Sequence, residues 1–167
     1  VPVISSDESV LIITYAGERS LGGLQDEYGE ENLKGYYYED VLVSYKIGDN
    51  WLAPENIGFN INSYTHDASI ALSGDGQTLF VYKYSEESGG DSYQSALNGE
   101  EWETPIALNL NINTTSWEGS ASLSPDGKTL YFTSERPGGQ GKKDIYLSRL
   151  RDDGIWGEAE NLGPGIN

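Results

Sequence analysis

The chain has 167 residues, enough for one domain with a substantial core. Its formal net charge is −17, from 27 acidic and 10 basic residues, which argues against nucleic acid or anionic lipid as a partner because phosphates need clustered Lys and Arg. The chain has no cysteine, which excludes disulfides and thiol catalysis. No apolar run approaches the ~20 residues of a membrane-spanning helix, so we expect a solubilising acidic surface and no direct membrane insertion.

The sequence contains the same four landmarks three times in the same order. The first is a Ser-x-Asp-Gly turn at residues 73–76 and 124–127, with a fainter copy at 5–8 in which Glu8 replaces the glycine. The second is an aspartate before a strand-like run, namely Asp40, Asp91 and Asp144. The third is a tryptophan, namely Trp51, Trp102 and Trp156. Each copy then ends on Ile-Asn, and repeats of this length indicate stacked supersecondary units.

Every landmark is typical of a strand or a turn. Asp75-Gly76 and Asp126-Gly127 stand between apolar runs, where glycine supplies the positive φ of a tight hairpin. Residues 144–148 alternate between polar and apolar, as a half-buried strand does, and no long helical period appears. We predict four antiparallel strands per copy, with inner strands over 69–73 and 120–124, which is typical of a β-propeller blade.

The sequence therefore predicts an all-β fold of three four-stranded blades, over approximately residues 1–64, 65–115 and 116–167. Known propellers typically close with about four to eight blades, so three blades leave two exposed sheet edges and an open inner funnel. We expect the chain to be part of a larger propeller, or to complete a ring as a homo-oligomer, with two copies giving six blades.

The third copy also carries a recognisable set of motifs. They are Ser124-Pro125-Asp126-Gly127, the run LYFTSERPGG at 130–139, Asp144-Ile145-Tyr146, and NLGP at 161–164 after Trp156. Together they resemble the WD40-like "Pro-Asp" repeat of TolB-type propellers and of OmpA-family envelope proteins of Bacteroidetes-like bacteria. The second copy departs at Gly74 and at residues 85–88, and the first departs at Glu8 and through an inserted loop. The resemblance implies a periplasmic or outer-membrane location and a protein or cell-envelope component as partner.

The repeated polar and aromatic residues are expected to be structural. The turn aspartates cap their own backbone, and they are Asp7, Asp75 and Asp126. The aspartates before the third strand are expected in buried polar networks, with Arg136, Ser134 or Thr133 as candidate partner of Asp144. The three tryptophans recur in every copy, as packing residues do.

We expect function where the copies differ. His66 and Trp117 hold matching positions but differ in type, and they stand beside Asp67 and Glu118 just before an inner strand. Side chains there reach the central funnel of a propeller or its mouth, so these four residues form the first candidate recognition surface. The alternative is that they pack on neighbouring blades. His66 is the only histidine, so one chain cannot assemble a His-based metal cluster or a His-dependent triad.

The second non-repeated feature is the insertion at residues 17–40. It contains Tyr36, Tyr37 and Tyr38, and Tyr-rich loops on a rigid scaffold are common recognition surfaces. The alternative is a solvated loop. The insertion also contains the carboxylates Asp26, Glu27, Glu30 and Glu31, whose spacing fits no EF-hand pattern although clustered carboxylates can bind Ca²⁺.

The sequence predicts no catalytic residues, no metal site and no cofactor. The glycine-rich run at 138–143 leads into a strand, so no helix N-terminus is available for a phosphate. The Gly-x-Ser-x-Gly elbow of hydrolases is absent from these 167 residues. We therefore expect a non-enzymatic interaction module of the bacterial envelope. The alternatives are the accessory propeller of a larger hydrolase or peptidase, and a carbohydrate-binding propeller.

Overall fold

The protein is described by a computed structural model that covers residues 2–25, 29, 31, 35–84 and 90–167. Within these ranges every regular element is a β-strand, and none of them forms a helix of the length and apolarity that crossing a membrane requires. The strands form three antiparallel sheets that follow one another along the chain. This architecture confirms the predicted all-β fold.

The three sheets are named here the first, second and third blade. The first contains β1 (Val3–Ile4), β2 (Val10–Ala16), β3 (Glu39–Ile47), β4 (Asn50–Trp51) and β5 (Glu55–Asn56). The second contains β6 (Asp67–Leu72), β7 (Thr78–Lys83), β8 (Asp91–Asn98), β9 (Glu101–Trp102) and β10 (Ile106–Ala107). The third contains β11 (Glu118–Leu123), β12 (Thr129–Ser134), β13 (Asp144–Arg149) and β14 (Glu160–Asn161).

The inner strands β6 and β11 begin earlier than the sequence indicated. They start at Asp67 and Glu118, whereas the predicted starts were residues 69 and 120. Both strands carry a bulge, between Ser69 and Ala71 and between Gly119 and Ala121, which shifts the register near their first residues. Asp67 and Glu118 are therefore the first residues of these strands, and His66 and Trp117 directly precede them.

The hydrophobic core lies between blades. Successive side chains of β7 point to opposite faces, as in any strand, so Leu79 and Val81 pack against the first blade while Phe80 packs against the third. Trp102 joins the first of these interfaces and Trp156 the second, where its ring centroid lies 6.2 Å from that of Phe80. Each blade is thus stabilised mainly by its neighbours.

The three Ser-x-Asp turns share one hydrogen-bonding pattern. Asp75 Oδ1 accepts hydrogen bonds from Ser73 Oγ at 2.6 Å and from the backbone N of Gln77 at 3.0 Å. The turns at Asp7 and Asp126 repeat both contacts. Serine Oγ in turn accepts a backbone N–H, at 2.8 Å in the case of Ser73 and Thr78. The aspartates therefore hold hairpin turns by capping their own backbone.

Candidate functional site

The non-repeated candidates among the described residues lie at one end of the blades. The antiparallel register places Glu39 opposite Ala16, and Asp67 opposite Lys83. In the third blade it places Glu118 opposite Ser134. We call this the loop end, because the insertion and the long connections after β7 and β12 leave from it. The Ser-x-Asp turns lie at the opposite end, which we call the turn end.

His66 lies at the loop end, where the first and second blades meet. Its Nδ1 contacts Glu39 Oε2, and both side chains are partly exposed. The ring of Tyr38 lies 4.7 Å from the His66 ring, and the ring of Tyr84 lies 6.1 Å away, edge-on. We call these four residues the rim cluster. Its two tyrosine rings, its imidazole and its carboxylate are each partly exposed and come from two adjacent blades.

Asp67 does not belong to this surface, because its side chain is completely buried. Its Oδ2 accepts hydrogen bonds from the backbone N and Oγ of Ser63, and its Oδ1 pairs with Lys83 Nζ at 2.5 Å. Lys83 Nζ also donates to the backbone oxygen of Ile61, in the last segment of the first blade. The carboxylate therefore links two blades and is unavailable to a partner at the surface.

Glu118 makes the equivalent contacts one blade further along. It is also completely buried, and its Oε2 accepts from the backbone N of Thr114 at 2.8 Å. Arg136 Nη2 lies 3.5 Å from Glu118 Oε1 and donates to the oxygen of Ile112 at 2.7 Å. Each set consists of an acidic side chain, a basic side chain and the backbone oxygen of an isoleucine in the preceding blade. We call such a set a blade clamp. The Ser or Thr placed four residues before each acid is the sequence signal that could have revealed the clamps.

Trp117 lies at the loop end of the third blade and is partly buried. Lys143 Nζ lies 3.7 Å from the centre of its ring, close enough for a cation–π contact. The ring also packs on Gly119, where a Cβ would come within 2.2 Å of it. Lys143 Nζ also forms an ion pair with Glu135, at 3.7 Å from its Oε1. Contacts within the third blade thus hold Trp117.

The three consecutive tyrosines lie in different environments. Tyr38 joins the rim cluster, and its backbone N donates to the oxygen of Gly23 at 2.9 Å. Tyr37 lines a shallow depression beside Glu18 and Glu31, and Tyr36 is largely exposed. The carboxylates Asp26, Glu27 and Glu30 lie outside the described residues. Within the described ranges no group of three or more His, Cys, Asp or Glu side chains could hold a metal ion.

Asp40 and Asp144 anchor loops at the loop end. Asp144 accepts hydrogen bonds from the backbone N of Gln140 and Gly141 and from Asn161, so the predicted pairing with Arg136, Ser134 or Thr133 is wrong. Arg136 instead donates a hydrogen bond to the preceding blade and completes the blade clamp there. Although burial raises the pKa of Asp144, these hydrogen bonds outweigh it and the net pKa is lowered.

Asp40 occupies the matching place in the first blade with fewer partners. Its Oδ2 accepts from the backbone N of Leu21 at 2.8 Å and from Asn56 Nδ2 at 2.9 Å, whereas its buried Oδ1 has no hydrogen bond. Burial is the largest influence on its carboxyl and raises its pKa. Asp91, the third member of the set, begins β8 beside residues 85–89, which lie outside the described ranges.

The repeated tryptophans do not share one environment. Trp102 and Trp156 are 6% and 4% exposed, and each is covered by the preceding blade. Their backbone oxygens accept hydrogen bonds from Asn60 and Asn111 of that blade, at 2.7 Å in each case. Trp51 is 38% exposed, because no described residue precedes the first blade on that side. The packing expected of all three is therefore seen for two.

Stacked antiparallel blades with buried junctions define a partial β-propeller, and comparison with solved structures shows a TolB-like fold. The chain is similar to TolB from Acinetobacter baumannii, with a TM-score of 0.59 and 17% identity over 96% of this chain and 31% of that one. It is similar to a putative TolB from Agrobacterium tumefaciens, with a TM-score of 0.58 and 18% identity over 96% and 44% of the two chains.

A third similar structure is the periplasmic gluconolactonase PpgL from Pseudomonas aeruginosa. Its TM-score is 0.54 and its identity 15%, over 98% of this chain and 44% of that one. The chain thus spans less than half the length of each of these structures, and likeness at such identity shows the fold alone. No protein-family model and no curated protein matches the sequence. The expected kinship with OmpA-family envelope proteins stays a prediction.

Proposed function

We propose that this chain is a non-catalytic recognition module of the bacterial envelope, which binds a protein or another envelope component through its loop end. The observation that carries the proposal is the rim cluster. Its aromatic rings and its Glu39–His66 pair are partly exposed and lie at the ends of strands of two blades, and Tyr38 and Glu39 belong to the insertion. Function is commonly found on loops and strand ends that a rigid scaffold positions.

The envelope location rests on likeness alone. One similar structure is described as periplasmic, and two others are TolB or a putative TolB. The net charge of −17 favours a partner whose surface is neutral or basic, since a strongly acidic surface would be repelled.

The test is affinity capture from a bacterial envelope extract with the tagged chain and a Tyr84→Ala/His66→Ala variant. Captured partners should be lost or reduced at least about tenfold in the variant if rim aromatics act as binding hot spots. The matched control is Tyr45→Ala, because Tyr45 is about as exposed as Tyr84 but lies toward the turn end of β3. Equal capture by all three proteins, or no capture above background, would contradict the proposal.

The second candidate is binding or turnover of a sugar derivative, which the likeness to a gluconolactonase favours. Exposed tyrosines beside carboxylates are suited to stacking and hydrogen bonding with a sugar ring. A glycan array and a lactone hydrolysis assay with glucono-δ-lactone separate this candidate from the first. Hydrolysis that is lost in the rim variant would establish an enzyme, and array binding without hydrolysis would establish a lectin-like module.

A further inference from the structure

The junction between the second and third blades is more polar than the junction between the first and second. Val10 and Val43 of the first blade belong to the core cluster that joins it to the second blade. At the matching positions of the repeat the second blade has Thr78 and Gln94, which face the third blade. The later blade contributes leucines and a tryptophan in both cases. One junction is therefore closed by apolar side chains at positions where the next has polar ones.

A cavity of about 290 Å³ lies at this second junction, at the turn end of the blades. Among the residues that line it, Phe80 and Trp156 are buried whereas Asp75 and Gly154 are exposed, so it leads from the surface into the junction. Two polar side chains and two leucines lie between these ends, namely Thr78, Gln94, Leu123 and Leu150. We call it the junction cavity. Its volume is at the low end for ligand pockets, which suits a ligand about as large as one side chain.

The polar side chains of the junction cavity have hydrogen-bonding capacity to spare. Neither Thr78 Oγ1 nor the Gln94 side-chain amide forms a hydrogen bond with a described residue, and the same is true of the buried Trp156 Nε1. Both side-chain hydrogen bonds of Asp75 go to its Oδ1, which leaves Oδ2 available. Polar groups inside a protein normally have partners, so these side chains are suited to a ligand and not to holding the two blades together.

The second-blade wall of the junction cavity is negatively charged. Hydrogen bonds from Ser73 Oγ and from the backbone N of Gln77 lower the pKa of Asp75, so this carboxylate is ionised at neutral pH. The net charge of −17 adds a field of the same sign. The cavity therefore favours a cation over an anion.

The third-blade wall is suited to an aliphatic stem. Leu123 and Leu150 belong to the apolar cluster of this junction, and the stem of a lysine is readily buried along such a surface while its charged head stays with polar groups. A sugar ring fits less well, because Phe80 and Trp156 are only 2% and 4% exposed and offer no open aromatic face for stacking. A purely apolar ligand would leave the amide of Gln94 without a partner.

We propose that the junction cavity binds a primary alkylammonium group, carried by a lysine side chain of a partner protein or by a free aliphatic amine. An ammonium group has three donors, for which Asp75 Oδ2, Thr78 Oγ1 and the Gln94 side-chain oxygen are the acceptors. Its stem lies along Leu123 and Leu150. The cavity is at the turn end and the rim cluster at the loop end, so this is a second binding surface that does not depend on the first.

The experiment is an NMR titration of the isotope-labelled chain with Nα-acetyl-lysine methylamide and with cadaverine, in about 150 mM salt to screen attraction between exposed charges. The reporters are the indole N–H of Trp156 and the side-chain amide of Gln94. Saturable shifts of both are expected, with a millimolar Kd because the ligand is small. Lysine methylamide acetylated on both nitrogens is neutral and should bind at least about tenfold more weakly. The tighter of the two amines identifies the source of the ammonium group.

Three variants separate this site from general charge attraction. Gln94→Val restores the residue type that the first blade has at Val43, and it should weaken binding about five- to tenfold. Asp75→Asn keeps an acceptor for the turn but removes the charge, and it should weaken binding at least about tenfold. Asp126→Asn is the matched control, because Asp126 makes the same turn contacts in the third blade but lies outside the cavity. Unchanged circular dichroism would show that the variants fold.

The absence of saturable shifts up to about 50 mM amine would overturn the proposal and assign the cavity to ordered water. Equal affinity for the neutral analogue would also overturn it, as would equal weakening by Asp75→Asn and Asp126→Asn, since the attraction would then not be specific to the cavity. An unchanged Kd in Gln94→Val would place the amine elsewhere. Because the titration reports on the turn end alone, its result is independent of whether the rim cluster captures a partner.

Discussion

Single residues show how the repeat tolerates substitutions at its turn positions. At the turn position where the second and third copies have Gly76 and Gly127, with φ of 72° and 71°, the first has Glu8 with φ of 56°. The left-handed region is unfavourable for any residue with a Cβ, by about 1–2 kcal/mol. The turn forms nevertheless, because Asp7 and Ser5 hold it by the same hydrogen bonds as in the other copies.

The first prediction concerns this strained turn. Glu8→Gly should stabilise the fold by about 0.5–1 kcal/mol, because relief of the left-handed strain exceeds the entropy that glycine adds to the unfolded chain. The lost contact of Glu8 with Lys46, at 3.8 Å and largely exposed, should matter little. Urea denaturation measures the change. Glu8→Ala is the control, and an equal gain with alanine would show that charge and not backbone conformation is responsible.

The second prediction is a pH dependence at the same turn. Hydrogen bonds from Ser5 Oγ, Ser9 Oγ and the backbone N of Ser9 lower the pKa of Asp7 to about 2. A carboxyl with a depressed pKa in the folded state stabilises the fold above its unfolded pKa of about 4 and loses that contribution as the pH falls toward 2. Asp7→Asn should thus be less stable than the native chain at pH 7, with the difference shrinking below about pH 4. A difference that is constant from pH 7 to pH 2 would refute this assignment.

At the scale of elements, the blade is the unit that the junctions join. Both described junctions combine an apolar cluster, an asparagine that binds the tryptophan oxygen, and a blade clamp. The clamps use different chemistry at the same place, Asp67 with Lys83 in one and Glu118 with Arg136 in the other. A buried charge needs a partner, so the two members of each clamp depend on each other.

The third prediction tests a clamp directly. Arg136→Met should destabilise the fold by about 3 kcal/mol, at the low end for a broken buried ion pair because Glu118 retains three hydrogen bonds. The control is Arg149→Met, whose exposed pair with Glu160 should contribute less than about 1 kcal/mol. Chemical denaturation compares the two. Adding Glu118→Gln to Arg136→Met should recover part of the loss, and similar costs for both single variants would refute the clamp.

At the scale of the whole molecule, the order of blades could be predicted because each landmark is local. A Ser-x-Asp-Gly turn forms from bonds within five residues, and an alternating strand shows its pattern in its own sequence. The candidate site was predicted less well. The sequence indicated the loop end and identified His66 and Tyr38 as candidate recognition residues. It also placed Asp67 and Glu118 on the candidate surface, although both are buried.

The sequence by itself therefore determined the blade repeat, its turns and the position of the non-repeated loops, since these depend on neighbours a few residues apart. Only the tertiary structure decided which side chains are accessible. Asp67 and Glu118 are buried because the preceding blade covers them, and the same repeat position is closed at Ile112 and open at Ile166. In stacked blades the burial of a side chain depends on the adjacent blade. The residues next to it in sequence therefore do not predict whether it is buried.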